Sequence, residues 1–526
     1  MYNYFVVVNS PDLKEILHQD LQSETGSEFV PARAVECTDS KPGSLYNGLF
    51  LLTEEEASIL KNDPRVRDVH RIPQEVGIVP KHFGTRAGHY DKSAIVTSVM
   101  KNWGVSRCIN KIDNFGVNTS TTAPYTFNLD GKGVDVILID TGVEAGHPEF
   151  AVNADGTGGS RVVNYDWTQH GLLSAPTGGF LGDCEGHGSN CASIVAGNTC
   201  GWAHNASIYS LRCVGTGAGT EHDITTGAVL GISNDDLAWQ TIRLFHLAKP
   251  IDPTTGYRKP TVVNASYGYF GVYPTRLTSV TYRGITYSVN TTTNNYGTIN
   301  ISGFGDTGYY PARVSSIDAD VEACIAAGVI VVAAAGNFSH KIDVPTGPDY
   351  YNYFDSGYYY HQGCSPGSTP GVICVGSIGS VEIEHKISYS NAGPRIDIFA
   401  PGDNIMGAFS SATFIAPAVQ DPRNTLYYLN KIGGTSQASP QVAGVAALLT
   451  QARPWMTATD VLNIITATSV KNLLSETFYW DYDVQNHVTT YAAVSTGTYT
   501  NLSSLQGAIN GYLYMPFNQP ITMAIG

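Results

Sequence analysis

Two short runs of apolar residues place the tightest limit on the fold of this chain. The run from Gly133 to Ile139 is almost entirely apolar and rich in β-branched residues, and the run from Val329 to Ala335 is entirely apolar. Such strands are typical of a parallel sheet covered on both faces, because both sides of each strand must be buried. Strand and helix patterns alternate around these runs. The sequence therefore predicts an α/β fold with a mostly parallel central sheet.

Polar residues follow both runs at the point where each strand ends. Asp140 comes directly after the first run, and Asn337 follows the second run after one glycine. Functional groups in open α/β sheets cluster just past the carboxyl ends of the strands. Asp140 and Asn337 are therefore candidate site residues. The alternatives are a helix cap or turn role for Asp140 and an ordinary turn for Asn337.

Ser436 follows the glycine pair Gly433 and Gly434 and precedes a long apolar run that opens at Pro440. A proline early in a run that is apolar on every side predicts a buried helix, with Ser436 at its N-terminus. Free backbone N–H groups and the positive end of the helix dipole favour an anion there. That environment suits a nucleophile whose reaction generates an oxyanion. The alternative is that Ser436 only caps the helix.

His187 stands out among the 14 histidines because Gly186 and Gly188 flank it. A short apolar helix follows. The glycines clear space around the imidazole at a helix start, which suits a functional side chain. A structural role is the more usual one for a single histidine, and it stays open here.

The chain divides into four predicted parts. Residues 1–78 show a strand–helix–strand–helix–strand pattern and predict a small separate domain. Residues 79–101 lack periodicity and predict an exposed linker of the kind that proteases cut. Residues 102–486 carry the α/β pattern, with a surface hairpin insertion at 270–314. Residues 487–526 form a weakly charged C-terminal extension, which we expect to pack on the body of the chain or on a neighbour.

Charge and cysteine content argue against several classes of protein. The 526 residues carry a formal net charge of −15 without a basic block, which disfavours nucleic acid and anionic membranes as partners. No apolar run reaches the roughly 18 residues of a membrane span, and residues 1–8 lack the features of a secretory signal peptide. The nine cysteines show no paired metal-ligand spacing. Disulfides between Cys364 and Cys374, or between Cys184 and Cys200, remain open.

Four motifs combine these candidates in chain order: Asp140-Thr141-Gly142, Gly186-His187-Gly188-Ser189, Ala334-Ala335-Gly336-Asn337 and Gly434-Thr435-Ser436-Gln437-Ala438-Ser439-Pro440. Together they resemble the motifs of the subtilisin-like serine proteases over residues 102 to about 486, and the order Asp, His, Ser is that of subtilisin. The resemblance implies a subtilisin-like three-layer α/β fold. It also implies a serine endopeptidase that cleaves polypeptides through an acyl-enzyme intermediate.

The resemblance implies a role for each candidate. Ser436 would attack the scissile carbonyl, and His187 would act as general base and then as general acid. Asp140 would hold the imidazole, and Asn337 would donate to the oxyanion together with the backbone N–H of Ser436. The segment Ser266-Tyr267-Gly268 looks like the edge that pairs with an extended substrate backbone. Ala334-Ala335-Gly336 would form a wall of the pocket for the residue before the cut.

Residues 1–78 resemble the inhibitory propeptide of the same family, most clearly from Gly48 to Glu56 and on through Asp68 and Val69. This implies a ferredoxin-like α+β domain that assists folding and occupies the cleft. The chain would then be made as a self-inhibited zymogen, with its own propeptide as a partner. Cleavage would fall between about Gln74 and Lys101.

The sequence departs from the usual family pattern beside the motifs. Asn190 and Gln441 stand where histidine is common, and Gln437 stands where methionine is usual. None of these changes removes a catalytic group, so we expect them to tune the rate. Cys191 matches a subgroup of the family that carries a thiol beneath the catalytic histidine, with simple packing as the alternative.

Cofactor, location and assembly are less constrained. The resemblance implies no cofactor for the chemistry. It leaves open a structural calcium ion, whose oxygen ligands leave little trace in a sequence, so no metal ligand is assigned. A second hypothesis is a structural or virion-associated protein with latent activity, which assembles through the 270–314 insertion and the C-terminal extension. Without a signal peptide, we expect a cytoplasmic or virion-associated protein.

Overall fold

The computed structural model divides into two compact units, Met1–His82 and Phe83–Gly526. It describes residues 1–10, 12–24, 29, 33–38, 47–71, 90–91, 103–109, 124–125, 127–173, 175, 179–212, 235–272, 279–288, 309–338, 340–354, 358–380, 385–410, 418–472, 474, 505, 507–509 and 511–514. Most of the predicted linker at 79–101 lies outside these residues. So do 289–308 of the predicted insertion and most of the predicted extension at 487–526.

The first unit is an antiparallel sheet with two helices. Its elements are β1 (Tyr2–Val8), α1 (Asp12–Gln22), β2 (Asn47–Leu52), α2 (Glu54–Leu60) and β3 (Val66–Arg71). Strand β1 lies in the centre, antiparallel to both neighbours. Buried side chains of all five elements form one hydrophobic core. Helix α2 begins with a capping box, in which Thr53 and Glu56 each accept a hydrogen bond from the other's backbone N–H.

The second unit alternates strands and helices over most of its length. Its helices are α3 (Trp103–Ile109), α4 (His187–Ala196), α5 (Asp235–Ala248), α6 (Ser315–Ala326), α7 (Thr435–Ala452) and α8 (Ala458–Thr468). Its strands are β4 (Tyr90–Asp91), β5 (Pro124–Tyr125), β6 (Asp135–Asp140), β7 (Val162–Val163), β8 (Ser207–Arg212), β9 (Thr261–Ala265), β10 (Phe270–Val272), β11 (Ser279–Tyr282), β12 (Ile285–Ser288), β13 (Tyr309–Pro311), β14 (Ile330–Ala334), β15 (Tyr353–Phe354), β16 (Tyr358–Tyr359), β17 (Ile373–Ile378), β18 (Ile398–Pro401), β19 (Ile405–Phe409), β20 (Val419–Asp421), β21 (Asn424–Ile432), β22 (Val470–Lys471) and β23 (Gly511–Tyr512). Short 3₁₀ turns lie at Pro148–Phe150 and Trp167–His170.

A nine-stranded sheet forms the centre of the second unit, in the order β22-β23-β18-β17-β14-β9-β6-β8-β7. Its neighbouring strands are parallel except for the pair β22 and β23. The predicted mostly parallel sheet is therefore confirmed. Because β9, β6 and β14 are adjacent, their carboxyl ends bring the segments after Ala265, after Ile139 and after Ala334 to one edge of the sheet.

Helices cover both faces of this sheet. Alternate residues of β6 point to opposite sides, with Val136 and Leu138 in one hydrophobic cluster and Ile137 and Ile139 in another. The first cluster includes side chains of α4 and α7, and the second includes side chains of α5 and α6. The three-layer α/β architecture follows from this two-sided burial, which the apolar runs predicted.

The predicted insertion contains the expected hairpin. Strands β11 and β12 pair antiparallel, with Tyr282 opposite Ile285 across a tight turn. Strand β11 also pairs with β15, which pairs with β16, so the hairpin is the outer part of a four-stranded sheet. The hairpin is thus joined to the polypeptide that follows β14.

The described part of the predicted C-terminal extension joins the central sheet. Strand β23 lies between β18 and β22, and Tyr512 and Leu513 are buried. The guanidinium of Arg107 lies 4.0 Å from the centroid of the Tyr512 ring. The sequence left open whether the extension packs on the body of its own chain or on a neighbour. These residues pack on the body of their own chain.

The eight cysteines among the described residues are all free thiols. Neither Cys364 with Cys374 nor Cys184 with Cys200 therefore forms a disulfide, and Cys213 lies outside the described residues. The helices of the described ranges include none with the length and apolar character needed to cross a bilayer.

Gly444, in the middle of α7, tests how closely this helix packs. A Cβ atom at Gly444 would lie 2.7 Å from Cβ and 2.8 Å from Cδ1 of Trp202, which is fully buried. Alanine normally stabilises a helix by about 1 kcal/mol relative to glycine. Overpacking costs about 1–3 kcal/mol, and we expect that term to win, so Gly444→Ala should lower the free energy of unfolding measured by urea denaturation.

The control is Asn463→Ala on the exposed face of α8, which should be neutral or slightly stabilising. A Gly444→Ala protein as stable as this control would contradict the packing inferred for α7.

Candidate active site

Asp140 and His187 meet at the edge of the central sheet. Asp140 is the last residue of β6 and is almost fully buried, and His187 is the first residue of α4. His187 Nδ1 lies 2.7 Å from Asp140 Oδ1, which also accepts a hydrogen bond from the backbone N–H of Thr141 at 2.8 Å. An ionised carboxylate only accepts, so Nδ1 carries the proton, and the lone pair of the neutral imidazole is on Nε2.

The electrostatics of His187 follow from this pairing. Burial is the strongest single influence and disfavours the imidazolium, but Asp140 and, more weakly, Cys191 together outweigh it, so the pKa of His187 lies well above its ordinary value. Burial raises the pKa of the neighbouring Cys191 thiol.

Glycines make the approach of these two segments possible. Gly186, the N-cap of α4, has a φ of 99°, and a Cβ there would lie 2.7 Å from the Phe409 ring. A Cβ at Gly188 would lie 2.1 Å from the carbonyl oxygen of Gly142. The space that the sequence suggested around His187 is therefore filled by backbone and by an aromatic ring.

Helix α7 begins earlier than the sequence suggested. Its first residue is Thr435, so Ser436 lies in the first turn and Pro440 lies inside the helix, not at its opening. Because proline has no backbone N–H, it cannot donate the helical hydrogen bond to the carbonyl four residues before it. That carbonyl belongs to Ser436, and it accepts hydrogen bonds from Ser266 Oγ at 2.9 Å and from Cys191 Sγ at 3.3 Å.

Ser436 does not cap this helix. The N-cap is Gly434, and the side chain that accepts from the first turn is that of Asn337, whose Oδ1 takes the N–H and the hydroxyl of Thr435, both at 2.8 Å. Ser436 Oγ donates instead to the carbonyl of Ser266 at 3.1 Å. The cap alternative for Ser436 is therefore wrong. No hydrogen bond joins this hydroxyl to His187 in the structure.

One thiol links His187 and Ser436. Cys191 Sγ lies 3.9 Å from His187 Nδ1 and donates to the Ser436 carbonyl. Cys191 is fully buried, so it packs as the alternative reading expected, and it also carries a hydrogen bond between α4 and α7. The backbone of Ser436 therefore lies close to the Asp140–His187 pair.

Asn337 is exposed and lies beside Gly434. The point where a Cβ of Gly434 would lie is 3.0 Å from Gln437 Oε1, 3.1 Å from Asn337 Nδ2 and 3.5 Å from the backbone N of Ser436. A side chain at residue 434 would therefore be crowded. Two nitrogen donors and one amide oxygen lie around Gly434 at the start of α7.

The predicted substrate segments lie at the ends of neighbouring strands. Ser266-Tyr267-Gly268 follows β9, and Ser266 Oγ also contacts Ser439 Oγ at 3.0 Å, which ties this segment to α7. Tyr267 and Gly268 are half-buried, and the Tyr267 hydroxyl accepts from Trp239 Nε1 at 3.1 Å. Ala334-Ala335-Gly336 ends β14, with both alanines buried and the Gly336 N–H donating to Thr435 Oγ1 at 3.0 Å.

The unusual residues beside the motifs contact one another beneath the site. Gln437 Nε2 donates to Asn190 Oδ1 at 3.3 Å, which joins α7 to α4. Gln441 Oε1 accepts from Trp202 Nε1 at 2.7 Å. The departures from the family pattern therefore form polar contacts within the layer that supports His187 and Ser436.

Two residues of the site were not singled out by the sequence analysis. Thr141 and Asp183 are buried and hydrogen-bond to each other and to the backbone on either side of His187. The signal was present in the sequence, since Thr141 follows Asp140 and Asp183 lies four positions before His187. Only the folded structure shows that they touch.

Comparisons with known proteins identify the family of this chain. A model of the subtilase family, peptidase S8, matches residues 131–508. The chain is 24% identical over 470 residues to an extracellular serine proteinase of Thermus sp. (strain Rt41A), a match that covers 88% of this chain and 82% of that protein. It is 25% identical over 447 residues to a cuticle-degrading protease of Metarhizium anisopliae, covering 84% of this chain and 81% of the relative.

A third relative is the alkaline serine exoprotease A of Vibrio alginolyticus, 24% identical over 474 residues, with 89% of this chain and 62% of the relative covered. Among solved structures, a cold adapted subtilisin-like serine proteinase matches with 22% identity and a TM-score of 0.45, over 79% of this chain and 98% of that one.

Replacing Asp140 by asparagine tests the electrostatics of His187. The charge that raises the pKa of the imidazole would be lost while burial, which lowers it, would remain. We expect the pKa of His187, followed by NMR titration of its ring nitrogens, to fall in Asp140→Asn. Asp252→Asn, at an exposed turn, should leave it in place. An unchanged His187 pKa in Asp140→Asn would show that the carboxylate does not control this imidazole.

Proposed function

We propose that this chain, which belongs to the subtilase family of serine endopeptidases, hydrolyses peptide bonds with Asp140, His187 and Ser436 through an acyl-enzyme intermediate. The observation that carries the proposal is the 2.7 Å hydrogen bond between His187 Nδ1 and Asp140 Oδ1. It leaves the lone pair of His187 on Nε2, the atom that a general base uses.

The first chemical step requires a change of partner at Ser436. Its hydroxyl donates to the Ser266 carbonyl in the resting structure. A rotation about Cα–Cβ would turn it toward His187 Nε2, which takes the proton as Oγ attacks the scissile carbonyl carbon. Asp140 stabilises the imidazolium that forms. The imidazolium then gives its proton to the leaving amine, and the acyl-enzyme is hydrolysed by water in the reverse sequence of proton transfers.

The oxyanion of the tetrahedral intermediate would accept hydrogen bonds from Asn337 Nδ2 and from the backbone N–H of Ser436, two donors that lie beside Gly434. The start of α7 contributes its positive dipole end. The hydrogen bond that the Thr435 N–H donates to Asn337 Oδ1 fixes the orientation of the Asn337 side-chain amide before substrate binds.

The substrate backbone would lie along Ser266-Tyr267-Gly268 as an added strand. A substrate N–H that pairs with the Ser266 carbonyl would use the acceptor to which the Ser436 hydroxyl donates in the resting structure. A carbonyl shared by two donors binds each more weakly, which would favour rotation of the hydroxyl toward His187. Ala334-Ala335-Gly336 would flank the side chain before the cut, and its small residues leave room for a large one.

No cofactor enters this mechanism, and subtilases catalyse without one. Members of the family often bind structural calcium. Within the described residues, the cluster of candidate metal ligands is Asp140, His187 and Cys191. A thiol and an imidazole do not suit calcium, which prefers oxygen ligands, so we assign no calcium site to this cluster.

Residues 1–78 would act as an inhibitory propeptide, which makes the chain a zymogen. The support is the small folded α+β unit at Met1–His82, separate from the unit that carries the site. The alternative of a structural or virion-associated protein is not favoured, because the family and the arrangement of side chains both point to catalysis. One relative is named an extracellular proteinase. A cytoplasmic or virion-associated location gains no support from the relatives, and we do not propose it.

Substitutions at the nucleophile and the amide donor test this mechanism. Ser436→Ala should reduce kcat about 10⁶-fold, the loss known for the corresponding change in subtilisin, and should abolish labelling by a fluorophosphonate. Ser316→Ala, on the exposed start of α6, is the control and should behave as the wild type. Labelling and hydrolysis that persist in Ser436→Ala would refute the assignment.

Asn337 has two functions that two variants separate. Asn337→Asp keeps an oxygen that can accept from Thr435 but loses the amide donor, whereas Asn337→Ala loses both. We expect kcat to fall about 10²–10³-fold in each, the range seen for an oxyanion donor in subtilisin, with thermal stability lowered only in Asn337→Ala. An Asn337→Asp enzyme with wild-type kcat would exclude the amide as a donor.

Maturation is tested at the N-terminus. We expect the purified wild-type chain to acquire a new N-terminus between Gln74 and Lys101, read by mass spectrometry, and to gain activity as it does. The Ser436→Ala chain should keep its original N-terminus. Cleavage of Ser436→Ala at the same bond and rate, in the absence of other proteases, would show that the chain does not process itself.

A further inference from the structure

Asp183 lies in the turn that leads into α4 and is only 3% exposed. Its Oδ1 accepts from Thr141 Oγ1 at 2.7 Å, from the Gly186 N–H at 2.8 Å and from the Glu185 N–H at 3.1 Å. Its Oδ2 accepts from the Ser189 N–H at 2.7 Å. A buried carboxylate with four donors is held in one orientation, because each oxygen is fixed by groups of different chain segments.

These hydrogen bonds replace the missing cap of α4. The N-cap residue, Gly186, has no side chain, and the first turn of a helix leaves its backbone N–H groups without partners in the helix. Asp183 takes the N–H of Ser189, and Thr141 Oγ1 takes the N–H of Gly188 at 2.9 Å. The start of the helix that carries His187 is therefore fixed by side chains that precede it.

Thr141 connects this turn to the strand that carries Asp140. Its hydroxyl donates to Asp183 and accepts from Gly188, so its one donor and an acceptor position are both used. Its backbone N–H donates to Asp140 Oδ1. A single residue thus touches the Asp140 carboxylate, the start of α4 and the Asp183 carboxylate.

No side chain fills the space between the two segments. A Cβ at Gly142 would lie 2.4 Å from the carbonyl oxygen of Gly182, and a Cβ at Gly188 would lie 2.1 Å from the carbonyl oxygen of Gly142. The separation of the strand end and the helix start is therefore set by backbone contact at these glycines and by hydrogen bonds. The hydrogen bonds of Thr141 and Asp183 span the gap, as does the one that the Glu144 N–H donates to Ser189 Oγ at 2.9 Å.

We infer that Asp183 and Thr141 are positioning residues that hold His187 at hydrogen-bonding distance from Asp140, which we call the Thr141–Asp183 clamp. The inference rests on the proposed function, since it assigns to the clamp the alignment of the general base. Neither side chain touches His187 or Ser436. They act through the backbone on both sides of the Asp140–His187 contact, and a misplacement of about 1 Å in such a contact costs on the order of 10²-fold in rate.

Thr141→Val is the principal test because it removes the hydroxyl without changing shape or charge. We expect kcat to fall about 10- to 100-fold, with KM within about threefold. Thr141→Ser keeps the hydroxyl and should recover most of kcat. Asp183→Asn should resemble Thr141→Val. The NH₂ group of the asparagine would face a backbone N–H that donates to the Asp183 carboxylate in the wild type, so that hydrogen bond would be lost. All rates are expressed per active site after titration with a fluorophosphonate.

The pH dependence separates positioning from stability. Asp140 and Cys191 are the titratable groups beside His187, and both raise the imidazole pKa, Asp140 more strongly than Cys191. His187 acts as a base only when neutral, so activity is lost as pH falls through its pKa. A longer Asp140–His187 contact in Thr141→Val should lower the His187 pKa and so move the acid limb, the low-pH side of the pH–activity profile, to lower pH. Loss of stability alone would reduce the number of folded, active enzyme molecules and would leave the acid limb at the same pH.

The matched control is the exposed pair Asp166 and Thr168, in which Asp166 Oδ1 accepts from the Thr168 N–H at 3.0 Å and from its hydroxyl at 2.6 Å. Thr168→Val and Asp166→Asn remove the same kind of contact at the 3₁₀ turn Trp167–His170, outside β6 and α4, and should leave kcat and the acid limb unchanged. A Thr141→Val enzyme that matches these controls would overturn the clamp.

A readout independent of hydrolysis keeps the two proposals apart. NMR titration of His187 should give a lower pKa in Thr141→Val than in the wild type, and Thr168→Val should not change it. If the wild type neither hydrolyses peptides nor reacts with a fluorophosphonate, the proposed function fails, and this titration still decides the clamp. Equal His187 pKa values in Thr141→Val and the wild type would refute it.

Discussion

The close approach of two backbone segments, the end of β6 and the start of α4, is the constraint on which the site depends. Glycines at 142 and 188 let the chains meet with no side chain between them. The approach brings the Asp140 carboxylate within 2.7 Å of the His187 ring. A side chain at Gly188 would push the helix away from the strand end, and one at Gly142 would displace the turn that leads into the helix. The electrostatics of the imidazole therefore depend on two residues that have no side chain.

The second constraint is the placement of Pro440 inside α7. The missing N–H leaves the Ser436 carbonyl free, and hydrogen bonds from Ser266 and Cys191 satisfy it. A break in the hydrogen bonding of one helix thereby becomes a connection between α7, the end of β9 and α4. The three elements that carry Ser436, the Ser266-Tyr267-Gly268 segment and His187, to which we assign the nucleophile, the substrate edge and the general base, are tied together at the first turn of α7.

Much of this arrangement could be predicted from the sequence, because its determinants are local. The apolar runs specify strands buried on both faces, and the residues after them must then lie at one edge of the sheet. The start of α7 could not be predicted in the same way. It is fixed by Asn337, a residue 98 positions earlier in the chain that takes the Thr435 N–H, and no pattern around Ser436 records such a partner. The same holds for the Ser436 hydroxyl, whose partner is a carbonyl 170 positions away.

Strand β23 has a consequence for how the protein is made. It fills the position between β18 and β22, although it is encoded far downstream of both. While the ribosome is still synthesising the chain, β18 presents an unpaired edge, which is the type of surface that recruits foreign strands. The central sheet can close on this side only after Tyr512 has left the ribosome. Nascent chains stalled before that point should therefore be the species on which molecular chaperones act.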